Sequence, residues 1–147
     1  MTAPETFTIH QTIQAPPDRV FRAWTDPAQV SRWFVPVEGW SAPLSKVSID
    51  ARVGGTWRVT MVDDTGAEFP AVFVYREVSE PDRLVFTTGA PGQDPNDPAM
   101  PLATVTFVDL GGSTQMIYAG VTTDPDHSEV EGWKAMLARL ADQVAST

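Results

Sequence analysis

The sequence predicts an α+β fold: a curved antiparallel sheet, with elements in the order β-α-α-β6-α, wrapped around one long C-terminal helix. Three observations predict it. Phe7–Ile13 and Trp57–Met61 alternate apolar and polar residues with a period of two, the pattern of half-buried strands. Turn signals such as Asp63-Asp64-Thr65-Gly66, Glu80-Pro81-Asp82 and Gly111-Gly112-Ser113 divide the chain at hairpin spacing. Beyond Asp124 the period changes: Val130, Trp133, Leu137, Leu140 and Val144 recur at three- and four-residue steps, one apolar stripe on a helix. A meandering sheet buries one face and needs a cover, and this helix can supply it across the concave side.

Phe7, Ile9, Gln11 and Ile13 alternate with Thr8, His10, Thr12 and Gln14, and Ala15-Pro16-Pro17 ends that strand. A short helix follows with Val20, Phe21 and Trp24 on its apolar face. Pro27 interrupts the pattern, so Val30, Trp33 and Phe34 belong to a second short helix rather than to a continuation. Val35 to Ser45 reads as loop. Val47 and Ile49 form a short strand, Gly54-Gly55 a turn or bulge, and Trp57, Val59 and Met61 the next strand. Phe69 to Ser79 is apolar on both parities, as in a central strand covered on both sides. Leu84 to Thr88, Leu102 to Leu110 and Thr114 to Val121 complete the sheet, with Pro91 to Pro101 a proline-rich loop. In the closing helix, Asp124-Pro125 offers an N-cap followed by proline at the first helical position. Ser128 and Glu131 offer a second start with capping-box spacing.

A length of 147 residues suits a single domain spanning 1–147, able to bury about two-thirds of its surface. Hydrophobic content of 42% with 20% charged residues is that of an ordinary globular protein. Five Trp and seven Phe suit a bulky core or an aromatic-lined cavity. The net charge of −9 argues against nucleic acid and against an anionic membrane surface as partners. No apolar run approaches the ~20 residues needed to span a bilayer. Met1–Gln14 lacks the basic and apolar regions of a signal peptide, so a cytoplasmic location is expected. With no cysteine there is no disulfide, thiol nucleophile or Cys-based metal site.

Chemistry-bearing motifs are sparse. There is no HExxH, no GxSxG and no histidine pair at metal spacing, and neither metal nor cofactor is expected. His10 lies on a polar strand face. His127 lies in the first turn of the last helix, either exposed or at the mouth of a cavity. The pairs Asp63-Asp64 and Asp124/Asp126 sit in turns, where Asp is wanted for backbone reasons. Glu77 shares parity with Phe73 and Tyr75. It is therefore either a buried carboxylate in need of a partner or one end of a cross-strand ion pair.

Taken together, several stretches resemble the START-like, or Bet v 1-like, helix-grip superfamily (SRPBCC). They are similar in particular to the family named for the C-terminal domain of the activator of Hsp90 ATPase homologue 1. The stretches are Ile13-Gln14-Ala15-Pro16-Pro17-Asp18-Arg19-Val20-Phe21, Trp24-Thr25-Asp26-Pro27, Trp33-Phe34 and Gly54-Gly55-Thr56-Trp57-Arg58. Further on come Tyr75-Arg76-Glu77-Val78, Pro81 to Thr87, Gly112-Ser113-Thr114 and Gly132-Trp133 with Leu137 and Leu140. Their order and spacing carry the likeness along essentially the whole chain. It implies a helix-grip fold with a hydrophobic cavity between sheet and helix. The expected cavity walls are Trp33, Trp57, Phe73, Tyr75, Phe86, Met116, Tyr118, Trp133 and Leu137. Arg58, Glu77 and His127 are candidate polar groups, joined by Tyr118 if the protein is a cyclase-, dehydratase- or hydrolase-type enzyme. Binding of a small hydrophobic or aromatic molecule is the leading expectation, with homodimerisation through an exposed sheet face as a further one. Co-chaperone activity is not expected to carry over, because the eukaryotic activator also uses an additional N-terminal domain, whereas here the strand at Phe7 comes first.

Overall fold

The computed structural model describes residues 5–36, 38–88, 94, 97, 100–122 and 128–145. Its strands are β1 (Glu5–Ile13), β2 (Val47–Ile49), β3 (Thr56–Val62), β4 (Glu68–Ser79), β5 (Arg83–Thr87), β6 (Leu102–Asp109) and β7 (Thr114–Thr122). Its helices are α1 (Pro17–Thr25), α2 (Pro27–Trp33) and α3 (Ser128–Ala145), with a single 3-10 turn at Leu44–Lys46. All the strands pair antiparallel in one sheet, ordered β1-β7-β6-β5-β4-β3-β2. The period-two patterns thus become a meander, and β1 returns to pair with β7. This is the architecture expected from the sequence, a curved sheet held against a long C-terminal helix.

Asp26 explains why α1 and α2 are separate. Its backbone N–H still donates to the Arg22 carbonyl and closes α1. Its side chain accepts from the Ala28 N–H at 3.0 Å and opens α2, with Pro27 at the first position, where a missing N–H costs nothing. The two helices can therefore turn Trp24 and Trp33 toward one another, their ring centroids 4.9 Å apart.

Helix α3 packs on β1, α1 and α2, and buries Trp133, Met136, Leu137, Leu140 and Val144. These are the apolar-stripe residues beyond Val130, with the flanking Met136. Gly132 lets the chain after α2 approach the helix closely: a Cβ there would stand 3.3 Å from the Pro36 Cβ, a tight contact that a small shift would have to relieve. At the other end, Arg19 Nη2 donates to the Val144 carbonyl at 3.3 Å, using a cation to answer one of the helix's terminal carbonyls. Among the described residues no helix is long and apolar enough to cross a membrane.

Two irregularities in the sheet shape the interior. At the β2–β3 turn, Gly54 adopts φ +83°, and a Cβ on Gly55 would run into the Asp50 carbonyl oxygen. The turn then clasps β4 at Tyr75, whose N–H donates to the Gly55 carbonyl at 3.0 Å while its carbonyl accepts from the Gly54 N–H at 2.9 Å. The second irregularity is a bulge in β4. Tyr75 pairs with Phe86 but Glu77 pairs with Val85, so Arg76 is an extra residue. Side chains beyond the bulge change face: Val78 now packs against the core and Glu77 points away from it.

Candidate functional site

The inward side chains of the sheet and of the three helices meet in one aromatic cluster. All nine residues expected to wall a cavity are buried. Trp33, Trp57, Phe86, Met116 and Leu137 have no exposed surface, whereas Trp133 and Phe73 retain 5% and 7%. Tyr118 stacks on Trp133 at 4.5 Å, and Trp57 lies 4.5 Å from Phe73, its cross-strand partner. These are contact separations for aromatic rings. Neighbouring rings are therefore in contact across the space between the sheet and α3.

Two members of the cluster were not among the expected walls. Trp24 of α1 occupies its middle, with centroids 6.1 Å from Trp57 and Phe86, 6.2 Å from Trp133 and 6.4 Å from Tyr118. Phe34, the residue that ends α2, lies edge-on to Trp57 at 5.4 Å, to Trp133 at 5.7 Å and to Phe73 at 6.2 Å. Both are legible in the sequence as apolar residues of short helices. Nothing local says that those helices turn them into the space between sheet and α3.

The polar atoms of this interior divide into satisfied and unsatisfied. Trp33 Nε1 donates to the Ala23 carbonyl at 2.8 Å, and Trp24 Nε1 to Met116 Sδ at 3.3 Å. Among the buried threonines, Thr114 Oγ1 donates to the Ala15 carbonyl at 2.8 Å, and Thr87 Oγ1 accepts from the Val74 N–H at 3.0 Å. Trp57 Nε1 and the Tyr75 hydroxyl have no partner among the described residues. Both rings pack edge-on against the same Phe86, at 5.4 and 6.5 Å. Burial, with a smaller contribution from the Asp50 carboxylate, raises the Tyr75 pKa well above the usual phenol value and keeps the hydroxyl protonated. No charged side chain is buried among the described residues. The arrangement can therefore stack flat apolar surface and donate two hydrogen bonds.

The candidate polar groups fall elsewhere. Glu77 is not a buried carboxylate: the bulge after Tyr75 reverses its parity. Its side chain is 41% exposed, 3.6 Å from Arg83 Nε, and accepts from Ser79 Oγ at 3.0 Å. Of the two readings of its parity, the cross-strand ion pair is the one realised. Arg58 is exposed, on the opposite parity of β3 from Trp57. His127, the cap at Asp124 and much of the Pro91–Pro101 loop lie outside the described residues. Asp63 has the turn role expected of it. Its carboxylate accepts from the Thr65 hydroxyl at 2.7 Å and from the Thr65 and Ala67 N–H groups at 2.9 Å, and these bonds, led by the hydroxyl, hold its pKa below the usual value.

Comparison with known proteins agrees with this geometry. The family described as Activator of Hsp90 ATPase homolog 1-like protein matches residues 14–145. A crystal structure of a Rhizobium loti protein is 28% identical, with a TM-score of 0.75 over 97% of this chain and 99% of that one. A crystal structure of a Chromobacterium violaceum protein is 26% identical, with a TM-score of 0.79 over 96% of this chain and 98% of that one. The solution structure of an AHSA1-like protein from Aeromonas hydrophila is 22% identical and shares the fold, with a TM-score of 0.79 over 97% of this chain and 93% of that one. No curated protein matches the chain. With a family match running from the end of β1 to the end of α3, over a sheet that grips a C-terminal helix, the chain belongs to the Activator of Hsp90 ATPase homolog 1-like family of the helix-grip superfamily.

Proposed function

We propose that this protein binds a small, flat, largely apolar molecule in the interior between the sheet and α3. The observation that carries the reading is the pair of buried donors, Trp57 Nε1 and Tyr75 Oη, set in an otherwise apolar aromatic enclosure. A core that served packing alone would be more stable with an apolar group of the same shape at each place, because a buried unpaired donor costs free energy and returns nothing. The remaining polar atoms described above have partners, which makes these two exceptional rather than typical. The way in runs past Phe34, where it separates Phe73 of the sheet from Trp133 of α3, the lining residues that keep some exposure. Binding is favoured over cyclase, dehydratase or hydrolase chemistry because Glu77 and Arg58 stand outside the enclosure, which leaves Tyr118 as the one enzyme candidate within it among the described residues.

Native mass spectrometry of freshly purified protein, set against the denatured mass, tests the proposal together with titration of the neutral fluorophore N-phenyl-1-naphthylamine. The expected result is a retained mass or a saturable rise in fluorescence that Trp133→Ala alters. Neither a retained mass nor saturable fluorescence would overturn the reading.

A further inference from the structure

We infer that the molecule bound is uncharged and carries a hydrogen-bond acceptor, such as a ketone, ester or quinone oxygen, which enters first and is received by Trp57 Nε1 and Tyr75 Oη at the Phe86 end of the interior. This rests on the binding reading above and gives it a chemical class and an orientation.

The acceptor follows from the donors. An indole N–H can only donate. The Tyr75 hydroxyl, kept protonated by burial and by Asp50, has a proton to give and nothing among the described residues to give it to. The location follows from the rings. Trp57 and Tyr75 sit on neighbouring strands, β3 and β4, and both meet Phe86 of β5 edge-on. Trp24 of α1, Tyr118 of β7 and Trp133 of α3 stack on one another beside them. A flat molecule whose polar end meets Trp57 and Tyr75 thus lays its apolar body against those rings.

Neutrality follows from the charges. No charged side chain is buried among the described residues, so an ionised ligand would leave water with no counter-ion to receive it. The Tyr75 hydroxyl also feels the Asp50 carboxylate, which repels an anion. That selects a carbonyl over a carboxylate, although both are acceptors.

Three naphthalenes of one shape separate these terms: 2-acetylnaphthalene (neutral acceptor), 2-isopropenylnaphthalene (no acceptor) and 2-naphthoate (anion). Each is titrated against the wild-type protein, Trp57→Phe and Tyr75→Phe, following tryptophan fluorescence and calorimetry. In the wild type the ketone should bind about three- to tenfold tighter than the alkene, the worth of one ordinary hydrogen bond, and naphthoate weakest of the three. Each Phe variant should reduce the preference for the ketone over the alkene, and Tyr75→Phe, which keeps the ring, should leave alkene affinity within about twofold. Continued alkene binding also shows that the variants are folded. Equal affinity for ketone and alkene in the wild type, tightest binding of naphthoate, or equal loss of both neutral probes in the variants would overturn the inference and leave the binding reading standing. If none of the three binds, the inference falls, and the binding reading is decided by the native mass and the N-phenyl-1-naphthylamine titration.

Discussion

Replacing Tyr75 with Phe should stabilise the unliganded protein, against the usual direction for loss of a tyrosine hydroxyl. The side chain is 1% exposed and its hydroxyl has no partner among the described residues. An unpaired buried hydroxyl costs about 1–3 kcal/mol. The substitution keeps the ring and its edge-on contact with Phe86 at 6.5 Å, and gives up only the dispersion contacts of one oxygen, at about 0.1–0.2 kcal/mol each. The net gain is about 1 kcal/mol, or about 2–4 °C in Tm for a chain of this length. Urea unfolding followed by tryptophan fluorescence reads it as a higher midpoint at unchanged m. A loss of 1 kcal/mol or more would refute the reasoning. It would mean that the hydroxyl already has a hydrogen bond in the free protein, and the acceptor-bearing ligand would lose one of its two donors.

Other substitutions test the remaining assignments. Trp133→Ala removes an indole stacked on Tyr118 at 4.5 Å and edge-on to Phe34, and should cost about 3–5 kcal/mol of unfolding free energy. A loss below about 2 kcal/mol would indicate a tryptophan facing open space instead of packed rings. The pH dependence carries a definite sign. Folded Tyr75 holds its proton above the unfolded value of about 10, so the unfolded chain ionises first. The corresponding stability is complete below that pH and declines as pH rises toward the folded pKa. Between pH 9 and 11 wild type should lose about 1 kcal/mol more than Tyr75→Phe in matched urea titrations, and equal losses would remove buried Tyr75 as the cause. Glu77→Gln should change stability by less than about 1 kcal/mol, since its pair with Arg83 is half in solvent. A cost of several kcal/mol would put that carboxylate back inside.

Local chemistry wrote most of the fold into the sequence. Alternation in Phe7–Ile13 and Thr114–Val121, the Gly111-Gly112 turn, the Asp26-Pro27 break between helices and the stripe from Trp133 to Val144 each lie within one element or one turn. Periodicity and turn geometry can be read there without knowing what lies opposite. The burial of Trp57, Phe73, Phe86, Met116 and Tyr118 was legible for the same reason, because inward parity is a property of a single strand. The polar character of the interior was settled at a distance. One extra residue, Arg76, reverses the face of Glu77, and the bulge exists only in register with β5. Trp24 reaches the middle of the cluster because α1 folds over a sheet whose closing strand follows far along the chain, and its N–H is answered by Met116, 92 residues away. The same holds for the buried donors. A tryptophan or a tyrosine looks the same in sequence whether or not its hydrogen bond is spent. Whether Trp57 and Tyr75 have partners depends on every element packed around Phe86, and a hydrogen bond requires atoms within about 3 Å, which no single element supplies by itself.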